Sequence, residues 1–306
     1  MTCLGSFTAG EAWPVVTLGE VRAPVAFVGP ERLVFVVPKD APGGVLPVAV
    51  DGTPIGSLSV GELWVTGVHQ VDSPVIARDG CLYATSSGTR SQESSVSLFR
   101  VPADGGREPF ATGIRNPTSL TEGPDGALFV SSRFEGKVFR VEADGTARVW
   151  AADLGTPCGL AFGADGALFV GDRSGTIFRV VDGRADPFAE LPPSVAAFHL
   201  AFGRDGALIV AAPTLASSDV IHAIDGQGQV TVLPWRLGRP QGLAVDLRGV
   251  LHVADSLAGS SHIFRLEPGA APDPVVTGSG MLGLAFGSGG EVAVATSDSV
   301  YRFASL

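Results

Sequence analysis

Residues 156–180 read TPCGLAFGADGALFVGDRSGTIFRV, and the same phrase returns along most of the chain. It recurs as NPTSLTEGPDGALFVSSRFEGKVFRV at 116–141, AFHLAFGRDGALIVAAP at 197–213, RPQGLAVDLRGVLHVADSLAGSSHIFRL at 239–266 and MLGLAFGSGGEVAVATSDSVYRF at 281–303. An earlier copy, VDSPVIARDGCLYATSSGTRSQESSVSLFRV, occupies 71–101. The turn glycines of the six copies are Gly80, Gly126, Gly166, Gly206, Gly249 and Gly290, at spacings of 46, 40, 40, 43 and 41. A repeat near forty residues with period-two strands and no helical periodicity predicts propeller blades, not a helical solenoid.

Each copy divides into four strands. Strand a is small and apolar, as in Gly-Leu-Ala-Phe at 159–162. An Asp-Gly turn follows, because a tight hairpin needs positive φ. Strand b, Ala-Leu-Phe-Val at 167–170, is apolar on both faces, as a strand packed between neighbouring sheets must be. Strand c ends in an aromatic-Arg pair at Phe99-Arg100, Phe139-Arg140, Phe178-Arg179, Phe264-Arg265 and Tyr301-Arg302. A second turn leads to strand d. The last copy stops after strand c. GELWVTGV at 61–68 resembles the strand d segment REPFATGI at 107–114, so residues 62–66 are expected to complete the last blade and remove two free sheet edges.

The remaining bulk properties bound the function. The chain has 306 residues, 45% hydrophobic and 17% charged, with Gly 41 and Pro 22, which suits a large all-β core with many turns. Its net charge of −10 argues against nucleic acid, which needs clustered Lys and Arg. No apolar run is long enough to span a bilayer, and the first residues show no signal-peptide pattern, so compartment stays open between cytoplasmic and exported. Cys3, Cys81 and Cys158 are too scattered for a disulfide framework or zinc site and are expected to be free thiols.

RPQGLAVDLRGVLHVAD resembles an NHL repeat, and 62–306 as a whole resembles the NHL and gluconolactonase-like (senescence marker protein) propellers. SSGTRSQ, SSRFEGKVFR, GDRSGTIF, FHLAFG and GRPQGLA together are similar to a bacterial group labelled gluconolactonase, many of which carry an IPT/TIG domain in front. LVFVVPKDAPGGVLPVAVDG at 33–52 looks like the central part of such an immunoglobulin-like domain, with its opening strands missing or truncated. The expected organisation is an IPT/TIG-like β-domain over 1–60 and a six-bladed β-propeller over 61–306.

Strand topology sorts the loops. The b–c and d–a loops share the face around the mouth of the central channel, and the a–b and c–d turns share the other. The b–c loops hold Ser86, Arg90, Glu93, Arg133, Glu135, Asp172, Arg173, Thr214, Asp219, Asp255 and Ser256, while the d–a loops hold His69, Asp72, Asn116, His199 and Gln241. This diversity marks the b–c/d–a face as the candidate site. Arg90, Arg133 and Arg173 each follow strand b and suit an anionic ligand, or else pair with Asp172 and Glu135. His199 opens strand a of the fourth unit, where it serves either as a general base or as a packed core residue. The ligand set expected from the face is Asp72, Arg90, Arg133, Glu135, Asp172, Arg173, His199, Gln241 and Asp255. His222 and His252 replace repeat aromatics and read as structural.

The lactonase resemblance implies a divalent cation held by oxygen ligands at the inner-strand starts. The corresponding positions are Asp72, Thr118, Cys158, Phe198, Gln241 and Leu282, one carboxylate and one amide. No cofactor is therefore expected, with a divalent cation as the alternative. Glu122-Gly123-Pro124 imitates a motif of those enzymes but abuts the Asp125-Gly126 turn, at the wrong end of its strand, and is read as a false match. Two functional readings stand: a metal-independent ligand-binding or interaction propeller for a small anionic or sugar-derived ligand or a protein, and a hydrolase or lyase acting on a lactone or sugar-derived acid.

Overall fold

The computed structural model describes residues 1–5, 12–69, 73–87, 94–257 and 260–306. It is all β, and its contacts divide the chain between Leu63 and Trp64. The first unit holds two sheets. One orders Thr2–Leu4, Arg32–Phe35 and Val25–Val28; the other orders Val21–Ala23, Val16–Leu18, Gly44–Val50 and Thr53–Val60. Asp51 and Gly52, both at positive φ, make the two-residue turn between the last two strands. Val16, Leu18, Ala23, Leu33, Phe35 and Val48, drawn from both sheets, form a single buried core.

The second unit repeats one four-stranded antiparallel meander. Its inner strands, strand a of each copy, are Val75–Ile76, Pro117–Glu122, Pro157–Phe162, His199–Phe202, Pro240–Val245 and Gly283–Phe286. Each inner strand touches the next, and the last touches the first. The buried side chains gather between successive sheets. Leu160, Phe129 and Val170 join the second and third sheets, and Phe198, Phe169 and Val210 join the third and fourth. Trp64, Val65, Ala293, Leu82 and Val101 join the last sheet to the first. At roughly 1.5–3 kcal/mol per buried large apolar side chain, these seams hold the ring together. The arrangement is a β-propeller.

The last sheet orders Gly283–Phe286, Val292–Ala295, Ser299–Phe303 and Glu62–Thr66. The first strand of the propeller thus lies beside the last strand of the chain. The Gly67 and Val68 amides donate to the Asp298 carbonyl at 2.9 and 3.2 Å. Trp64 Nε1 donates to the Pro102 carbonyl at 3.0 Å, tying this strand to the first sheet.

Two sequence motifs prove to be one device. Each a–b turn Asp accepts the amide two residues on, as Asp79 does from Cys81, Asp125 from Ala127 and Asp165 from Ala167. In the first three sheets the other carboxylate oxygen meets the strand c Arg of the same sheet, Arg100 at 3.6 Å, Arg140 at 2.6 Å and Arg179 at 2.6 Å, whereas Asp246 meets Arg248 of its own turn at 3.1 Å. The following glycine takes φ of 77–91° at all six turns, a conformation that a Cβ disfavours. Aromatic residues of strand b then pack edge-on against the next inner strand, Phe129 on Phe162 and Phe169 on Phe202.

Candidate functional site

The six inner strands surround a cavity of about 400 Å³. It is lined by Ser73–Ile76, Leu120–Glu122, Leu160–Phe162, His199–Phe202, Gly242–Val245 and Leu284–Phe286. The ring of strands therefore encloses a usable central channel. The residues around it are mostly aliphatic and aromatic, with hydroxyls at Ser73 and Thr121 and two ionisable side chains, His199 and Glu122, but the surface they present to the cavity is more polar than apolar.

His199 is 3% exposed, and neither ring nitrogen has a hydrogen-bond partner among the described residues. Its place follows from the repeat. Where the third copy has Gly159, the fourth has an imidazole, directly after the fully buried Phe198. Burial lowers its pKa to about 4, so the ring is neutral at pH 7 and offers one donor and one acceptor. Orphaned buried polar atoms are rare, and each costs about 1–3 kcal/mol.

Glu122 sits at the other end of the channel, at the last position of its inner strand. It pairs with Leu128 in the register in which Phe162 pairs with Leu168 and Phe202 with Leu208. Its carboxylate oxygens accept the Arg78 backbone N–H at 3.4 and 3.2 Å, and Arg78 Nε lies 3.9 Å away. Burial raises its pKa. Sequence reasoning set this residue aside as a false motif match. The signal that finds it is the comparison of the six final inner-strand residues, five apolar and one acidic.

The loop-face residues have another setting. Asp172, 5% exposed, accepts the Thr156 amide at 2.7 Å and the Ser174 hydroxyl. Asp255 accepts the amides of Gly238 and Arg239 at 3.0 and 2.5 Å. Glu135 accepts from the Arg115 amide and the Ser132 hydroxyl, both at 3.2 Å. Arg133 Nε donates to Asn116 Oδ1 at 2.9 Å, and Arg173 donates to the carbonyls of Ser194 and Val195 at 3.2 and 2.7 Å. These side chains knit b–c loops to d–a loops, and none of them lines the channel cavity. Gln241 is half-buried beside it. Asp72 and Arg90 lie outside the described residues. His252 packs against Phe286 and shares a hydrogen bond with the Val250 carbonyl. Cys3, Cys81 and Cys158 are free thiols.

Five of the six positions at which the resemblance would place cation ligands are described. The Thr118 hydroxyl donates to the Asn116 carbonyl, the Cys158 thiol donates to the Thr156 carbonyl, and Phe198 is fully buried. Leu282 adds no side-chain oxygen and Gln241 adds one amide. Among the described residues no three of His, Cys, Asp and Glu gather to hold a metal ion. No described helix is long and apolar enough to cross a membrane.

No protein-family model matches the chain, and no curated protein matches it. Solved structures do. A streptogramin B lyase aligns with 18% identity and a TM-score of 0.59, over 99% of this chain and 96% of its own. The virginiamycin B lyase of Staphylococcus aureus aligns with 16% identity and a TM-score of 0.55, over 80% of this chain and 86% of its own. A gluconolactonase of Xanthomonas campestris aligns with 15% identity and a TM-score of 0.54, over 80% and 85%. Identities this low establish a shared β-propeller fold.

Proposed function

We propose that the chain is a small-ligand-binding, six-bladed propeller of gluconolactonase-like build, which takes its ligand in the central channel without a metal ion. One observation carries this reading: a nearly fully buried, neutral imidazole lies among the residues around the channel with both nitrogens unpartnered among the described residues. A ligand hydroxyl or carbonyl that reaches the imidazole would supply the missing partner, and the largely polar surface of the cavity suits further hydroxyls. A sugar-derived molecule of modest size has this chemistry.

The second reading, a lactone hydrolase or lyase, rests on the same residue and on the solved structures. A histidine-to-alanine variant of the Staphylococcus aureus lyase is catalytically inactive. Against it stands magnitude. A base with a pKa of about 4 is a weak proton acceptor at neutral pH, where general bases work best with values close to 7. Hydrogen bonding suits His199 better than proton abstraction.

The test is a fragment screen by ligand-detected NMR on wild type and His199→Leu. Fragments with one hydroxyl or carbonyl on an apolar body should bind wild type and weaken about tenfold in the variant, the worth of one net hydrogen bond. Hits indifferent to His199→Leu would overturn the reading. Hydrolysis of δ-gluconolactone that survives a chelator and vanishes in His199→Leu would favour the enzyme.

A further inference from the structure

The final residues of the six inner strands form one layer of the channel: Ile76, Glu122, Phe162, Phe202, Val245 and Phe286. They share a register, since each pairs with the first residue of its strand b, for example Ile76 with Leu82, Val245 with Leu251 and Phe286 with Val292. Three half-buried phenylalanines, each already packed on one ring (Phe129, Phe169 and His252), and one carboxylate therefore line the same cavity at the same depth, and among the described residues no lysine or arginine lines it. Aromatic faces attract cations through the ring quadrupole, and a carboxylate adds direct charge.

Glu122 is poorly compensated for a carboxylate that is mostly buried. An ionised carboxylate has about four acceptor sites. Among the described residues a single backbone N–H, from Arg78, serves both oxygens. The Arg78 guanidinium is largely in water, and its terminal nitrogens donate to the carbonyls of Pro124 and Gly123 at 2.9 and 3.2 Å. Its charge reaches Glu122 through a screened 3.9 Å contact, which is worth little. At the equivalent seams an aromatic of strand b meets the end of the next inner strand, as Phe169 meets Phe202. At the first seam Tyr83 instead donates to Asp79, and Glu122 also lines a second cavity of about 470 Å³ between the first two sheets.

We infer that this layer recognises an organic ammonium group, held by Glu122 and the rings of Phe162, Phe202 and Phe286. The inference rests on the channel reading above and gives its ligand a second pole. The His199 end and the Glu122 end lie about 10 Å apart along the channel, three residue steps of strand. The ligand class is then a small organic amine or quaternary ammonium with a hydroxyl or carbonyl at the far end.

Choline and its uncharged carbon isostere 3,3-dimethylbutan-1-ol separate the cation from shape and hydroxyl. Titration calorimetry on wild type, Glu122→Gln and Phe202→Leu should show choline binding wild type about tenfold tighter than the isostere, a typical worth for a cation beside rings and a carboxylate. Both substitutions should shrink that preference, and Glu122→Gln should leave the isostere's affinity within about twofold. Phe202→Leu reads the same preference should Glu122→Gln fail to fold. Equal affinities for the two probes, both weakened in Ala201→Trp, would overturn the ammonium assignment and leave the channel reading standing. No choline binding, or a preference untouched by both substitutions, would also overturn it. Binding of both probes unaffected by Ala201→Trp would remove the channel reading itself.

Discussion

Asp172 and His199 are nearly equally buried, at 5% and 3% exposure, and belong to adjacent sheets. They behave as opposites. Asp172 is met by the Thr156 amide and the Ser174 hydroxyl, so its charge holds two loops. The His199 nitrogens are met by nothing among the described residues, and they lie closed to solvent beside the channel. Both are unusual polar residues in an apolar repeat. His222 Nδ1 and Asp219 Oδ2 are also buried without a partner among the described residues but lie away from the channel, so what singles out His199 is incomplete hydrogen bonding together with its place beside the cavity.

The comparison breaks most visibly at the satisfied carboxylates. Asp255→Ala strips the Gly238 and Arg239 amides of a charged acceptor. At about 1.5–3 kcal/mol per bond to a charged group, the loss should be about 3–5 kcal/mol in denaturant unfolding. Channel binding by the variant, measured where it stays folded, should match wild type. A loss under about 1 kcal/mol would show that these loops do not depend on their carboxylates.

His199 gives the next effect, and it depends on pH. The folded imidazole has its pKa lowered to about 4 against an ordinary value of 6.5. Between these values the unfolded chain binds a proton that the folded chain refuses. Stability should therefore be full above pH 6.5 and fall as pH drops toward 4, by up to about 3 kcal/mol from this group. His222 and His252, whose pKa values burial also lowers, act in the same direction. His199→Leu should flatten part of the slope, read by chemical denaturation at several pH values. An unchanged slope would mean that His199 is protonated in the fold.

Arg133 marks the small end. Its one described bond, to Asn116, lies at the half-buried loop face. Arg133→Ala should cost about 1 kcal/mol or less and leave channel ligands unaffected. A tenfold loss of ligand affinity in this variant would return the site to the loops.

The repeat made the architecture readable because six copies of turn and strand constrain one another. The Asp-Gly turns, the strand c arginines and the segment at 62–66 all stand out as columns in that repeat. The site was less readable because loop chemistry in a sequence shows residue types without their partners. Arg173 looks like an anion ligand until the carbonyls of Ser194 and Val195 are seen beneath its guanidinium. Glu122 was hidden for a different reason. A motif resemblance drew attention to its neighbours Gly123 and Pro124, whereas its meaning lies across the repeat, in a column otherwise filled by Ile76, Phe162, Phe202, Val245 and Phe286. His199 was visible, but its missing partners were not.

The most direct test follows the His199 imidazole nitrogens by 15N NMR while fragment hits are titrated into wild type and Ala201→Trp, which narrows the channel beside His199. Hits should shift the His199 nitrogens in wild type and lose binding in Ala201→Trp, read below the melting temperature of the variant, which the added ring should lower because Ala201 packs against the seam between the fourth and fifth sheets. Hits that bind both proteins equally, leave His199 unmoved and shift the side chains of Arg133 and Arg173 would contradict the channel reading.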